Sequence, residues 1–143
     1  MMDVTELPFN RFVGVQKCTD RANGIFQLPG LSQYLNHLGT VHASALFALA
    51  EASSGQFLAQ HLVLDPNTII PVLRRGDIKY RKPAMGVVYS KGTFEPDDWD
   101  HFHETFDRKR RALISFGIEI LNQDDVTVAL ASYEWFIAER KDH

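Results

Sequence analysis

The sequence predicts an α+β protein in which a mostly antiparallel sheet lies on one main helix. One long segment, His42 to Leu62, is rich in alanine and leucine and free of proline, which is typical of a helix. The segments that follow it are extended and joined by short connections, which is typical of neighbouring antiparallel strands. No repeat or flexible linker divides the 143 residues. We therefore expect a single domain over residues 1–143.

The remaining elements follow from periodicity and turn residues. The segments Phe12 to Lys17 and Gly24 to Leu28 are predicted to form an initial antiparallel strand pair, followed by a loop over 30–41. A second, amphipathic helix is predicted over 97–111, where two aspartates, Asp97 and Asp98, are expected to cap its start. The other predicted strands are Thr68 to Leu73, Asp77 to Lys82, Gly86 to Glu95, Leu113 to Leu121 and Val126 to Ala138.

Composition narrows the function classes. Fifteen basic and 18 acidic residues give a formal charge of −3, so electrostatics offers no reason to expect a nucleic-acid partner. A single cysteine, Cys18, builds neither a disulfide framework nor a Cys-rich zinc site, and we expect no metal. No apolar run approaches the length of a membrane span, and the first residues lack the pattern of a signal peptide. We therefore expect a cytoplasmic protein without a membrane partner.

One acidic residue stands out in the predicted central helix. Glu51 is the only formally charged residue from Ala22 to Leu64, and no lysine or arginine lies three or four positions away. A carboxylate is almost never buried unless it is paired or functional. Either Glu51 marks a solvated edge of the helix, or it is a catalytic residue; the apolar and small neighbours favour the second interpretation.

The start of the same helix is a second candidate site. Backbone N–H groups in a first helical turn lack intrahelical acceptors and can stabilise an oxyanion, and the residues near Ala43 supply them. Asn36 offers an amide that can hold a carbonyl or a water, although a loop asparagine also bonds its own backbone. His42 is a candidate general base, although a histidine at a helix start also packs or caps.

Spacing then constrains the assembly. Ala43 and Glu51 are eight residues apart, or about 12 Å along a helix axis, too far to act together on one carbonyl. Two antiparallel helices in a two-fold dimer would bring Glu51 of one chain near Ala43 of the other. The sequence therefore predicts an obligate homodimer with shared sites.

Two sequence blocks resemble the hotdog-fold thioesterases of the phenylacetate-degradation (PaaI-like) type. Asn36, Gly39 and His42-Ala43-Ser44, followed by an Ala/Leu-rich helix with Glu51, match the spacing of the family signature, in which His-Gly-Gly precedes the helix and an acidic residue lies within it. The block Ile78 to Ala84 resembles the strand that ends in Arg-Pro-Ala, with a lysine in place of the arginine. The order of the predicted elements fits over nearly the whole chain.

This resemblance implies a curved antiparallel sheet wrapped around the central helix, and hydrolysis of acyl-coenzyme A thioesters. It assigns Glu51 as general base or nucleophile, Asn36 as a positioning residue and the Ala43 N–H as the group that polarises the carbonyl. The substrate-binding positions that match the blocks are Gly39, Ser44, Arg81 and Lys82. Coenzyme A enters as part of the substrate, no cofactor is implied, and the assembly is a homodimer or a dimer of dimers.

Three further interpretations remain open from the sequence. Basic residues over 74–82 and 108–111 either bind coenzyme A phosphates or form solvated faces. A dehydratase or hydratase acting on 3-hydroxyacyl thioesters would pair His37 with Glu51. Because alanine and serine replace the two signature glycines, a non-catalytic acyl-thioester-binding protein is the other alternative.

Overall fold

The computed structural model describes residues 2–141. Its helices are α1 (Pro8–Val13), α2 (Ala43–His61) and α3 (Pro96–Lys109). Its strands are β1 (Gln16–Lys17), β2 (Phe26–Leu28), β3 (Ile69–Tyr80), β4 (Val88–Thr93), β5 (Arg111–Leu121) and β6 (Thr127–Glu139). The strands form an antiparallel sheet in the order β1-β2-β4-β5-β6-β3, which curls around α2. The predicted α+β architecture is confirmed.

Small side chains allow α2 to lie close to the inner face of the sheet. Ser53 Oγ, which is fully buried, lies 2.7 Å from Ser90 Oγ on β4 and donates to the Leu49 carbonyl. On the same strand, a Cβ atom at Gly92 would lie 2.1 Å from the Phe57 ring, so only glycine fits there. The predicted helix over 42–62 is confirmed, with His42 as its N-cap and Leu62 as its C-cap.

The N-terminal segment differs from the prediction. Phe12 was expected to begin a strand, but it lies in α1, and only Gln16–Lys17 pairs as β1. Pro8 at the first helical position and Gly14 in the left-handed region, at φ 94°, delimit this short helix. The segment packs on α2, and the buried Asn10 side chain donates to the Val4 carbonyl. These cap residues and contacts outweigh the strand preference of an aromatic and β-branched sequence.

Two other element boundaries also differ. The two strands expected over 68–73 and 77–82 form one strand, β3, because a bulge between Leu73 and Arg75 keeps the chain in the ladder. Helix α3 begins at Pro96 after the N-cap Glu95, so Asp97 and Asp98 lie in its first turn and not at the cap. There their carboxylates interact favourably with the positive end of the helix dipole.

Strand β3 forms one edge of the sheet and is covered on neither face over most of its length. Its ladder partner is β6, and its other edge has no partner within residues 2–141. Ile70, Val72 and Tyr80 are exposed by 45%, 48% and 45%. Apolar side chains on both faces of an unpaired edge indicate a surface that another chain can cover.

No helix of the described residues is long and apolar enough to cross a membrane.

Candidate active site

Glu51 lies two turns into α2 and is half-buried. Within residues 2–141, no group forms a hydrogen bond or ion pair with its carboxylate; its backbone carbonyl accepts from Ser54 Oγ at 2.7 Å. Burial raises the pKa of Glu51 above its ordinary value of 4.5, and no cation opposes that shift. A half-buried carboxylate without a partner and with a raised pKa is a stronger base than an ordinary carboxylate.

The Glu51 side chain lines an apolar cavity of about 560 Å³. Leu58, Ala59 and Leu62 of α2 form one wall, and Trp135 of β6 contributes to another. The N-terminal segment adds Val4, Leu7 and Phe9 to the lining. A cavity of this size, lined mostly by apolar residues with Glu51, Asn10 and the exposed Arg140 as its polar ones, has the character of a small-ligand site for a hydrocarbon group.

The raised pKa of Glu51 also predicts how stability depends on pH. The folded chain binds the Glu51 proton more tightly than the unfolded chain does. The contribution of Glu51 to the free energy of unfolding therefore falls as the pH rises from the pKa of the unfolded chain through that of the folded chain. Glu51→Gln is therefore expected to melt at a higher temperature than the wild type at pH 8, with the difference shrinking towards pH 4. Thermal unfolding across this range checks the prediction; a variant less stable than the wild type at pH 8 would contradict it.

The first turn of α2 presents one free backbone donor. His42 is an exposed N-cap whose Nδ1 accepts from the Ser44 N–H at 2.9 Å, and the Ala45 N–H donates to the His42 carbonyl. The Ala43 N–H has no acceptor within residues 2–141. The helix dipole adds to its positive character, so this group is placed to stabilise an oxyanion. His42 forms a cap here, and its role as general base stays a prediction.

The loop before α2 is held by Asn36. Its Oδ1 accepts from the backbone N–H groups of Leu38 and Thr40, at 2.9 and 3.1 Å, and its Nδ2 donates to Thr40 Oγ1 at 2.9 Å. Gly39 has φ 76°, which glycine adopts without strain, and open space lies around its Cβ position. Asn36 therefore shapes the loop, and the substrate contacts expected of Asn36 and Gly39 stay predictions.

The structure brings the two sequence blocks together. The Val41 N–H donates to the Ala84 carbonyl at 2.9 Å, and Tyr80 Oη donates to the Ala43 carbonyl at 3.1 Å. The exposed Arg81 and Lys82 therefore follow β3 at the N-terminal end of α2, and neither forms an ion pair within residues 2–141. Ser44 is exposed at the same end of the helix. These residues lie at the Ala43 end of α2, whereas Glu51 lies about 12 Å further along the helix axis.

In the second basic segment, over 108–111, one residue is engaged within the fold. Arg110 is the C-cap residue of α3, and its backbone is in the left-handed conformation. Its side chain forms an ion pair with Glu139 at 3.1 Å and packs over the Phe106 ring. Its side chain is held by contacts within the fold.

Within residues 2–141, no group of three or more His, Cys, Asp or Glu side chains is placed to hold a metal ion.

Two aromatic residues beside Glu51 were missed by the sequence analysis. Tyr133 and Trp135 lie on the inner face of β6, two positions apart. Tyr133 packs edge-on against Phe47, with ring centroids 6.2 Å apart, and Trp135 Nε1 donates to Ser54 Oγ at 3.2 Å. Glu51 lies between Phe47 and Ser54 along α2. The alternation of β6 predicts an inward face, but not which of its residues lies opposite Glu51.

Solved structures with the same architecture come from several bacteria. A protein of unknown function from Pseudomonas aeruginosa, described as a probable thioesterase, superposes with a TM-score of 0.80 at 19% identity, covering 96% of this chain and 91% of that one. A Bacillus halodurans protein solved with CoA gives 0.66 at 18%, covering 90% and 74%. A hypothetical thioesterase from Streptococcus pneumoniae solved with coenzyme A gives 0.56 at 16%, covering 90% and 87%.

These similarities show that the chain has the hotdog fold, as the sequence resemblance implied. No curated protein matches the sequence significantly. Residues 21–137 match the family described as domain of unknown function (DUF4442), and the chain belongs to that family.

Proposed function

We propose that this protein hydrolyses acyl-coenzyme A thioesters to a free acid and coenzyme A. The observation that carries the proposal is the Glu51 carboxylate, unpaired within residues 2–141, on the wall of an apolar cavity. A thioester presents an apolar acyl group and an electrophilic carbonyl, and this arrangement offers an apolar volume with a base at its wall. The hotdog fold and the relatives solved with CoA support the same substrate class.

In the proposed reaction, Glu51 takes a proton from water and the resulting hydroxide adds to the thioester carbonyl carbon. The Ala43 N–H stabilises the oxyanion of the tetrahedral intermediate. The C–S bond then breaks, the carbonyl reforms, and the coenzyme A thiolate leaves and takes up the proton. Direct attack by Glu51 would instead form an anhydride. Single turnover in heavy-oxygen water separates the two routes, because only the anhydride route can place the label in Glu51.

The proposed assembly is a homodimer that shares its two sites. The unpaired edge and the exposed inner face of β3 support it, because a second copy of the edge would complete the ladder and cover Tyr80. In that arrangement Glu51 of one subunit serves the carbonyl held at Ala43 of the other. In this proposal Arg81 and Lys82, which follow β3 at the N-terminal end of α2, bind coenzyme A phosphates. We also propose that the protein is cytoplasmic, as the sequence leads us to expect.

The first test is release of free thiol from short, medium, long and aryl acyl-coenzyme A esters. Turnover of at least one ester is expected. Stabilisation by acyl-coenzyme A without thiol release would favour the non-catalytic binding protein, and loss of enoyl absorbance without thiol release would favour the dehydratase.

The cavity predicts a preference for acyl chains of a certain length. From Glu51 to Leu62 it follows α2 for about 16 Å, which an extended chain of about a dozen carbons would span. Ala59→Phe fills the part distant from Glu51, so the optimum is expected to shift to shorter esters, with kcat/KM for the longest ones falling about 10-fold or more. Gln60→Phe, at an exposed neighbour outside the cavity, is the matched control. An unchanged chain-length profile in Ala59→Phe would place the acyl group elsewhere.

A further inference from the structure

Tyr133 carries a buried hydroxyl that no group satisfies. The residue is 0% exposed. Its Oη atom is buried and has no hydrogen-bond partner among residues 2–141. Buried polar atoms without a partner are rare in folded proteins, and each one calls for a specific partner such as a bound water. A phenylalanine would fill the same space without this cost, so the hydroxyl points to a role.

Tyr133 lies on the part of β6 that packs against the Glu51 region of α2. The ring of Tyr133 fits between Phe47 of α2 and Gly76 of β3, where a Cβ would come within 3.0 Å of it. The next inward residue of β6, Trp135, contacts α2 at Ser54 and Gly55. Glu51 lies between these two contacts on the helix. Burial first, and then the charge of Glu51 and the nearby Tyr80, raise the pKa of Tyr133, so that its hydroxyl stays protonated.

The neighbouring hydroxyls are already used. Tyr80 Oη donates to the Ala43 carbonyl, and Ser54 Oγ donates to the Glu51 carbonyl while it accepts from Trp135. The Tyr133 hydroxyl and the Glu51 carboxylate are both left without a hydrogen-bond partner within residues 2–141. They form no direct hydrogen bond with each other.

We infer that the Tyr133 hydroxyl holds, together with the Glu51 carboxylate, the water that attacks the thioester. This inference rests on the proposed function. Glu51 accepts one O–H of the water and takes its proton, and Tyr133 Oη accepts the other O–H. A lone pair of the water oxygen then forms the new C–O bond, and the C–S bond breaks. Tyr133 keeps its own proton throughout, so its role is to orient the nucleophile.

The test compares Tyr133→Phe with Tyr89→Phe, the same chemical change at a buried tyrosine whose hydroxyl donates to Asp125 on another part of the fold. For Tyr133→Phe, we expect kcat for the best ester to fall about 10²-fold, because the water loses its orientation. We expect KM and the dissociation constant of an S-alkyl-coenzyme A thioether of the same chain length to stay within about twofold, and the melting temperature to stay equal or rise. Tyr89→Phe is expected to keep its kcat.

The outcomes separate the two proposals. An active wild type with an equally active Tyr133→Phe would overturn the inference and leave the proposed function standing. Weaker thioether binding in Tyr133→Phe, or an equal loss of kcat in Tyr89→Phe, would also overturn it, since the effect would then be on binding or folding. A wild type that hydrolyses no thioester would overturn both proposals.

Discussion

Replacing Glu51 by glutamine is expected to lower kcat for thioester hydrolysis by about 10³-fold, because the amide cannot take the proton of the attacking water. The glutamine keeps the size of the side chain on the cavity wall, so KM is expected to change little. Free-thiol release under saturating substrate measures the effect. Because the variant is also expected to be more stable than the wild type at pH 8, a loss of turnover there cannot be assigned to unfolding.

A matched control is available on α3. Glu104 is exposed on a helix, and Glu104→Gln makes the same chemical change at a residue that does not line the cavity. It is expected to keep the wild-type kcat. Equal turnover in Glu51→Gln and Glu104→Gln would remove Glu51 from the chemistry.

The second large effect is expected at Ala43, where proline removes the backbone N–H and changes little else. Proline is favoured at the first position of a helix, and the preceding residue, His42, already has the extended backbone, φ −61° and ψ 139°, that a following proline requires. Loss of one oxyanion donor is expected to lower kcat by about 10²- to 10³-fold. Ala43→Gly, which keeps the N–H and restores the glycine of the signature, is expected to stay active.

Combining the two defects tests the shared site. In a heterodimer of one Glu51→Gln chain and one Ala43→Pro chain, a site built across the subunits leaves one copy intact and concentrates both defects in the other. Such a heterodimer, isolated through two different affinity tags, is expected to show about half of the wild-type kcat per dimer, although each parent homodimer is nearly inactive. A site contained within one chain would leave the heterodimer inactive, and that result would overturn the proposed assembly.

The central helix and the position of Glu51 were predictable because they rest on local signals. Alanine-rich sequence with few charges defines α2 within one residue at each end, and the isolation of Glu51 in the sequence corresponds to a carboxylate without an ionic partner within residues 2–141. The contact between Val41 and Ala84 shows that the two motif blocks belong to one surface. The helix and the isolation of Glu51 depend on residue type and spacing alone, whereas the contact between the two blocks depends on the fold.

Tertiary contacts decided what the sequence did not predict. Helix α1 depends on its packing on α2, which outweighs the strand preference of its own residues. The wall that it adds to the cavity was therefore not foreseen. Tyr133 was also missed, because the position of β6 along α2 depends on how the sheet curls, and no local pattern encodes it.

The hydrogen bonds within the Asn36 loop have a consequence for binding. A loop that must become ordered around its ligand loses conformational entropy at that moment, and the loss reduces affinity. Here Asn36 bonds to Leu38 and Thr40, and Val41 bonds to Ala84, before any ligand is present. The loop is preorganised, so the backbone donor at Ala43 is held in place at no entropic cost to the bound state.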